Sequence, residues 1–324
     1  MNQPVLSISV AAYNAASYLA NSLCLFGDIR LKDKVEVIIV NDGSNDNTLI
    51  VANSFKEKYP DRFVVIDKEN GGWGSTINAS LKIAKGKYYR LMDADDWYDI
   101  DELCKLIRFL ESSDMDLIYT SYDEVHVDED SLTISKKIPD DLIGVNISFN
   151  EDCDVERLLD LNWAMHSLVF KTCSIRNRYT ITEKAFYTDV EYVVKSISNI
   201  KNMCFIDNCV YKYAIGIEGQ SVSLDGINKH YHEHINVSMN LMRFYSGLIC
   251  VDSIKKIIKN RIDSMIRTQY FYFYILPYSN QVANEFKDYD DFICKNYPEF
   301  RIGGKKLWLY RHFGNSVFRF LLRK

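Results

Sequence analysis

Between residues 5 and 121 the chain switches repeatedly between two hydrophobic periods, and this alternation restricts its fold more than any other feature. Short β-branched or aromatic runs at 5–10, 35–40, 63–66, 88–92 and 116–121 are separated by amphipathic helical patterns at 16–26, 46–58, 75–85 and 100–112. Strands that alternate with helices predict right-handed crossovers and a mostly parallel sheet covered by helices. Asp99 followed by Glu102 predicts a capped start for the fourth helix. The segment 123–150 is acidic and less periodic and reads as a long loop or a small excursion. A helical pattern resumes at 151–162, then a strand at 167–171, a helix at 189–198 and two short strands at 203–215. From 228 to 300 the pattern is helical and rich in Tyr and Phe.

In an open parallel sheet, ligands bind beyond the carboxyl ends of the strands. Four signals fall at such ends. Ala11-Ala12-Tyr13-Asn14 follows the first strand. Its small residues leave room for a flat ring, and Tyr13 offers a stacking face or else covers the sheet edge. Asn41-Asp42-Gly43-Ser44 follows the second strand, where Asp42 either accepts from a ring N–H or serves a local cap. Asn70-Gly71-Gly72-Trp73-Gly74-Ser75 opens the third helix, and glycines there let the backbone approach a phosphate near a helix N-terminus. No Gly-Lys-Ser/Thr follows, so it is not a P-loop.

The fourth signal is Met92-Asp93-Ala94-Asp95-Asp96-Trp97. Asp93 and Asp95, two apart in an extended segment, project to one side. One could hold a ribose hydroxyl and the other a hard cation such as Mg²⁺ or Mn²⁺. The alternative is a solvated turn that caps the next helix, a task that suits Asp96.

Taken together, the four signals resemble the family 2 glycosyltransferases of the GT-A fold. The matching pieces are SISVAAYN, EVIIVNDGSNDNT, the Asn70–Gly72 and Asn78 run, and MDADDW in place of the family's Asp-x-Asp motif. The resemblance is strong over 5–100 and weaker over 160–223. It implies a Rossmann-like α/β domain at 1–225, with a nucleotide-sugar half at about 1–100 and an acceptor half at about 101–225. A helical region at 226–302 and a basic amphipathic tail at 303–324 would follow.

The resemblance also implies roles. Tyr13 stacks on the nucleobase beside Ala12, and Asp42 binds the base. Asn70, Gly72 and Asn78 lie along the donor. Asp93 lies near the ribose or the metal, and Asp95 holds Mn²⁺ or Mg²⁺. In Phe186-Tyr187-Thr188-Asp189, Asp189 takes the place of the base that deprotonates the acceptor hydroxyl. The alternative is that Asp189 caps the helix it opens, with Glu191 in solvent. Trp163 and His166 fall on the acceptor side, although a histidine beside Trp and Met also suits a packed core. The loop 216–223 resembles one that closes over the donor.

This chain also departs from the pattern. Ile77 replaces the arginine many members carry before Asn78, and Lys68, Lys82, Lys85 and Arg90 are the nearby basic residues. The Gln-x-x-Arg-Trp motif of processive synthases is absent, which favours transfer of a single sugar. The expected reaction moves one sugar from a nucleotide-sugar, a UDP-sugar by preference, to a glycan or lipid-linked saccharide in cell-surface polysaccharide or capsule synthesis. The rival readings are a sugar nucleotidyltransferase and a non-catalytic scaffold that binds nucleotide-sugar. The first lacks its Gly-rich loop after strand one, where AAYN stands.

A net charge of −5 argues against a nucleic-acid binder. Eight cysteines without metal-like spacing read as reduced thiols, and His230, His232 and His234 read as a surface cluster rather than a zinc site. The N-terminus lacks the pattern of a signal peptide, so a cytosolic protein is expected. The tail 303–324 carries six Lys and Arg, no acid, and interleaved aromatics. It suits a helix on an anionic inner-leaflet surface or one packed on the preceding helices.

Overall fold

The computed structural model describes residues 3–127, 132–150, 153–217 and 224–313. The chain divides into two compact units, Met1–Glu218 and Gly219–Lys324.

The strands of the first unit are β1 (Leu6–Ala12), β2 (Val35–Asp42), β3 (Phe63–Lys68), β4 (Tyr88–Asp93), β5 (Trp97–Tyr98), β6 (Leu117–His126), β7 (Thr133–Lys136), β8 (Asn146–Ser148), β9 (Leu168–Lys171) and β10 (Asn202–Ile215). Its helices are α1 (Ala16–Cys24), α2 (Thr48–Lys58), α3 (Trp73–Ile83), α4 (Ile100–Ser112), α5 (Glu156–Leu159), α6 (Thr172–Ile175) and α7 (Thr188–Ile197). One sheet runs β3-β2-β1-β4-β9-β6-β10-β5, with β7 beside β6 and β8 beside β10.

The first four strands are mutually parallel. All eight residues of β2 are buried, as expected of a strand covered on both faces. Their carboxyl ends therefore open on one edge, at Ala12, Asp42, Lys68 and Asp93. β9 then runs antiparallel to both β4 and β6, and β10 runs parallel to β6. Asp99 caps α4, its Oδ1 accepting from the N–H groups of Asp101 and Glu102 at 3.0 Å.

The acidic segment 123–150 is not a plain loop. β6 continues to His126, β7 returns antiparallel to it, and β8 pairs with β10. The residues of β7 are mostly exposed, so no buried face left a periodic signal. The two strands expected at 203–215 are one strand, β10, with register shifts on either side of Cys209. Asn208 anchors that bulge, its Nδ2 donating to Glu102 O and Oε2. The helix expected at 151–162 is a single turn, α5.

The second unit comprises α8 (Leu224–Ser246), α9 (Asp252–Ile275), α10 (Asn280–Asn296) and α11 (Lys305–Phe313). Leu241, Ile262, Phe273, Phe286 and Ile293 form part of its core. Asp290 is buried and accepts from Tyr270 Oη at 2.6 Å, Arg311 Nη2 at 2.7 Å and Arg311 Nε at 3.0 Å. The start of the basic tail is thus packed on the helices, while residues 314–324 lie outside the described residues.

The histidines are not a surface cluster. His230 pairs with Glu233 and His232 with Glu285, while His234 is buried and donates Nδ1–H to Gln269 Oε1 at 2.7 Å. Burial pushes the His234 imidazole down to about 4. Its folded value lies below the unfolded one, so the unfolded chain binds the proton more readily. Stability is then full above pH 6.5 and falls as pH drops toward 4. Urea unfolding at pH 7 and pH 4.5 should show a drop that His234→Gln reduces by about 2–3 kcal/mol. Equal pH dependence in both proteins would refute this role.

Candidate functional site

The site is organised by the turn that ends β4. Asp96 N–H donates to Asp93 O at 3.2 Å, which closes the turn. The Asp96 side chain is completely buried and points back into the sheet. It accepts from Tyr211 Oη at 2.5 Å and from Ala214 N at 2.8 Å, while Asp93 N–H donates to Tyr211 Oη at 3.2 Å. The third aspartate therefore ties the turn to β10 and does not cap α4, which is the work of Asp99. Burial, then the charges of Asp93 and Asp95, hold Asp96 well above the usual carboxylate range.

Asp93 accepts Trp73 Nε1–H at 2.7 Å. Burial, then the charge of Asp95 and more weakly that of Asp189, push it up to about 7. Asp189 belongs to α7, far away in sequence, yet its charge is felt at the β4 turn. Tyr213 feels the same group. Its phenol is pushed above its usual range by burial and then by Asp96, Asp93, Asp95 and Asp189. All four carboxylates thus raise the same phenol. Sequence reasoning missed Tyr211 and Tyr213. The available signal was their spacing of two in a strand, which sends both side chains to one face.

His166 lies against Tyr213, with ring centroids 4.4 Å apart and planes 24° apart. Its two ring nitrogens have no hydrogen-bond partner among the described residues. Burial, then the nearby Arg90 guanidinium, push it down to about 3, so it is neutral and keeps a lone pair. Arg90 is completely buried, its Nη2 donating to His166 O at 2.5 Å and Thr120 Oγ1 at 3.2 Å. Single ligand atoms of Asp93, Asp96 and His166 lie within 4.8 Å of one another. Two carboxylates and an unpartnered neutral imidazole fit a divalent cation of the Mn²⁺ or Mg²⁺ kind, and the nitrogen favours Mn²⁺. Asp95, the expected ligand, is on the same turn but outside this trio.

At the carboxyl end of β1, Tyr13 is 52% exposed beside the buried Ala12. Asp42 is buried, and its carboxylate accepts from Lys68 Nζ at 2.7 Å, Gly71 N at 2.9 Å, Gly72 N at 2.8 Å and Ser75 Oγ at 3.2 Å. Asn70 Nδ2 donates to Asp42 O at 2.9 Å. Two amides of the Gly turn are therefore spent on Asp42 rather than left for a phosphate. The glycines serve chain-to-chain approach: a Cβ at Gly43 would lie 2.6 Å from Asn70 N, and one at Gly74 would lie 2.2 Å from Thr182 O.

Two expected contacts move elsewhere. Trp163 is buried edge-on to Tyr119 and donates Nε1–H to Leu158 O at 2.9 Å, so it is a core residue. Asn78 does not reach toward a donor. Its Oδ1 accepts from Ile181 N at 2.9 Å, and its Nδ2 donates to Ile181 O at 2.9 Å and Glu183 Oε1 at 3.1 Å. Both amide hydrogens are consumed, which leaves no donor for a ligand.

Asn78 instead fastens the segment leading to Asp189. Lys184 N–H donates to Gly71 O at 2.5 Å on the same side. From the other end, the buried Glu191 accepts from Thr182 N and Oγ1 at 3.0 Å and pairs with Lys195 Nζ at 2.6 Å. Glu191 is therefore a tether, not a solvated acid. Between the clamps, Lys184 and Tyr187 adopt left-handed backbone at φ 54° and 63°. Each costs about 1–2 kcal/mol outside glycine, so the clamps hold a strained path. Tyr187 occupies the N-cap position of α7, and Asp189 follows inside the first turn. The loop 216–223 lies outside the described residues from 218 onward.

Residues 7–179 match the family model for glycosyl transferase family 2. A stretch of 130 residues is 39% identical to the chondroitin synthase of Pasteurella multocida, covering 39% of this chain and 13% of that protein. The chain thus spans a small part of the length of that curated relative. Staphylococcus aureus TarS 1-349, solved in complex with UDP-GlcNAc, has a TM-score of 0.66 over 98% of this chain and 90% of that chain, at 16% identity. The mannosyltransferase PcManGT from Pyrobaculum calidifontis, solved with GDP-Man and Mn²⁺, has a TM-score of 0.53 over 99% of this chain and 86% of that one, at 14% identity. Both structures share the fold: a GT-A α/β sheet with flanking helices, followed by a helical region.

Proposed function

The chain belongs to glycosyl transferase family 2 and is a glycosyltransferase, and on that premise we propose that it moves one sugar from a UDP-sugar to a hydroxyl of a glycan or lipid-linked saccharide, with inversion and with a divalent cation. The observation that carries this reading is the grouping of Asp93, Asp96 and His166 at the carboxyl end of β4, with ligand atoms within 4.8 Å of one another.

In this reading Tyr13 stacks on the nucleobase at the open edge of β1. Asp42 shapes the donor turn through Gly71 and Gly72 and presents Asn70 beside it. Asp93, Asp96 and His166, with Asp95 beside them on the same turn, would hold the cation. When bound, that cation supplies positive charge to the diphosphate as it leaves. Asp189 takes the proton from the acceptor hydroxyl as its oxygen bonds to the anomeric carbon and the bond to the diphosphate breaks. No covalent enzyme intermediate is required. The acceptor as a surface polysaccharide precursor is supported by the chondroitin synthase likeness, and UDP by the donor in the TarS complex.

Calorimetric titration of UDP with and without Mn²⁺ tests this. Mn²⁺ should tighten UDP binding at least about tenfold, since a divalent ion held by carboxylates would offset the charge of the diphosphate. Asp95→Ala should erase that gain while leaving the fold intact. Metal-independent UDP binding in both proteins would remove the cation from the account, and no nucleotide binding at all would remove the donor assignment.

A further inference from the structure

The second unit carries a face that the transfer chemistry does not use. α11 packs on one side only, with Leu307 and Tyr310 buried and Arg311 spent on Asp290. Its opposite side bears Lys305, Trp308 and His312, which share a stripe at helical spacing. Trp308 is 54% exposed and Phe313 60%. On α9, Arg267, Phe271 and Tyr274 likewise share one face, with Phe271 57% exposed. A cleft of about 330 Å³ lies between the two helices, lined by Arg267, Phe271, Tyr274, Gly304, Lys305 and Lys306 among others, and none of its lining residues is acidic. Lys306 Nζ stands 4.9 Å over the Tyr274 ring. Tyr274 Oη is buried in this region without a hydrogen-bond partner among the described residues.

Two features identify the occupant. The chain as a whole carries a net charge of −5, yet the cleft is lined by Arg267, Lys305 and Lys306 and by no acid, so its charge is concentrated by placement. Three exposed large aromatics flank the same cations. A soluble phosphate would satisfy the cations alone and leave the rings in water. An anionic bilayer satisfies both, with headgroup phosphate against Lys and Arg and rings at the boundary with the acyl chains.

We propose that this face docks on an anionic phospholipid bilayer, a headgroup phosphate entering the Arg267–Lys305–Lys306 cleft and Phe271, Trp308 and Phe313 seating in the interface. This deepens the reading of a lipid-linked acceptor. Its test measures binding rather than transfer, so either can fail alone.

The full chain is sedimented with vesicles of phosphatidylcholine alone and of phosphatidylcholine with phosphatidylglycerol. Binding should appear only on the anionic vesicles and weaken as salt rises. The double variant Lys305→Glu/Lys306→Glu should bind at least about tenfold more weakly, since each cation near a charged surface contributes a severalfold factor. Phe271→Ala/Trp308→Ala should lose several-fold on the same vesicles. All these side chains are exposed, so unchanged melting curves verify the fold. Absence of binding to anionic vesicles, or binding that survives charge reversal, overturns the proposal. So does release by millimolar glycerol phosphate, which would make the cleft a soluble-phosphate site. A dimer in sedimentation velocity that Trp308→Ala dissolves would assign the face to a second copy instead and overturn it equally.

Discussion

Asp189→Asn should lower kcat by about 10²–10⁴-fold, the range that a positioned general base contributes. The substitution preserves shape and removes only the capacity to take a proton. It also removes one of the negative charges that raise Asp93, so binding of UDP with Mn²⁺ should hold or tighten modestly. The clean signature is therefore a large loss in turnover with the nucleotide affinity kept, measured by release of UDP and by calorimetry on one preparation. Turnover within about threefold of the parent would sink the assignment, because no base contribution is that small.

Gly74→Ala should be the most damaging change made without touching a chemical group. Within a helix alanine is favoured over glycine by about 1 kcal/mol, so the local effect alone is stabilising. Here the added Cβ would lie 2.2 Å from Thr182 O and 2.7 Å from Ile181 Cγ2, so the segment must move. That movement pulls on the Asn78–Ile181 bonds on one side and the Glu191–Thr182 bonds on the other. Overpacking of this kind costs about 1–3 kcal/mol in stability. Displacing a reacting group by about 1 Å costs about 100-fold in rate. The expected result is a folded, less stable protein whose kcat falls about 100-fold, and Asn78→Ala should shift kcat in the same direction with a milder loss of stability. A Gly74→Ala enzyme with the parent's kcat would show that this segment does not position Asp189.

The parallel half of the fold was legible because its cause is local. β1, β2 and β4 are buried strands, β3 is a partly buried one, and each alternates with a half-buried helix, a burial that leaves a period in the sequence. β7 left none, because its residues face solvent. β10 read as two strands because a bulge residue and a turn residue look alike in one dimension, and only the contact of Asn208 with Glu102 distinguishes them.

At the site, the sequence by itself determined which chemical groups are present near which strand ends: Tyr13, Asp42, the Gly turn and the Asp93–Asp96 cluster. Strand direction fixes that, since consecutive parallel strands deliver their carboxyl ends to one edge. Which of those groups face the opening was decided only in three dimensions. Asp96 turns inward to Tyr211, Asn78 is consumed by Ile181, and Asp42 gathers the Gly turn. A carboxylate or an amide must satisfy its hydrogen bonds somewhere, and the partners that settle the matter lie from about thirty to more than a hundred residues away. No spacing rule reaches that far, so the tertiary structure alone separates the residues that build the site from those left to act in it.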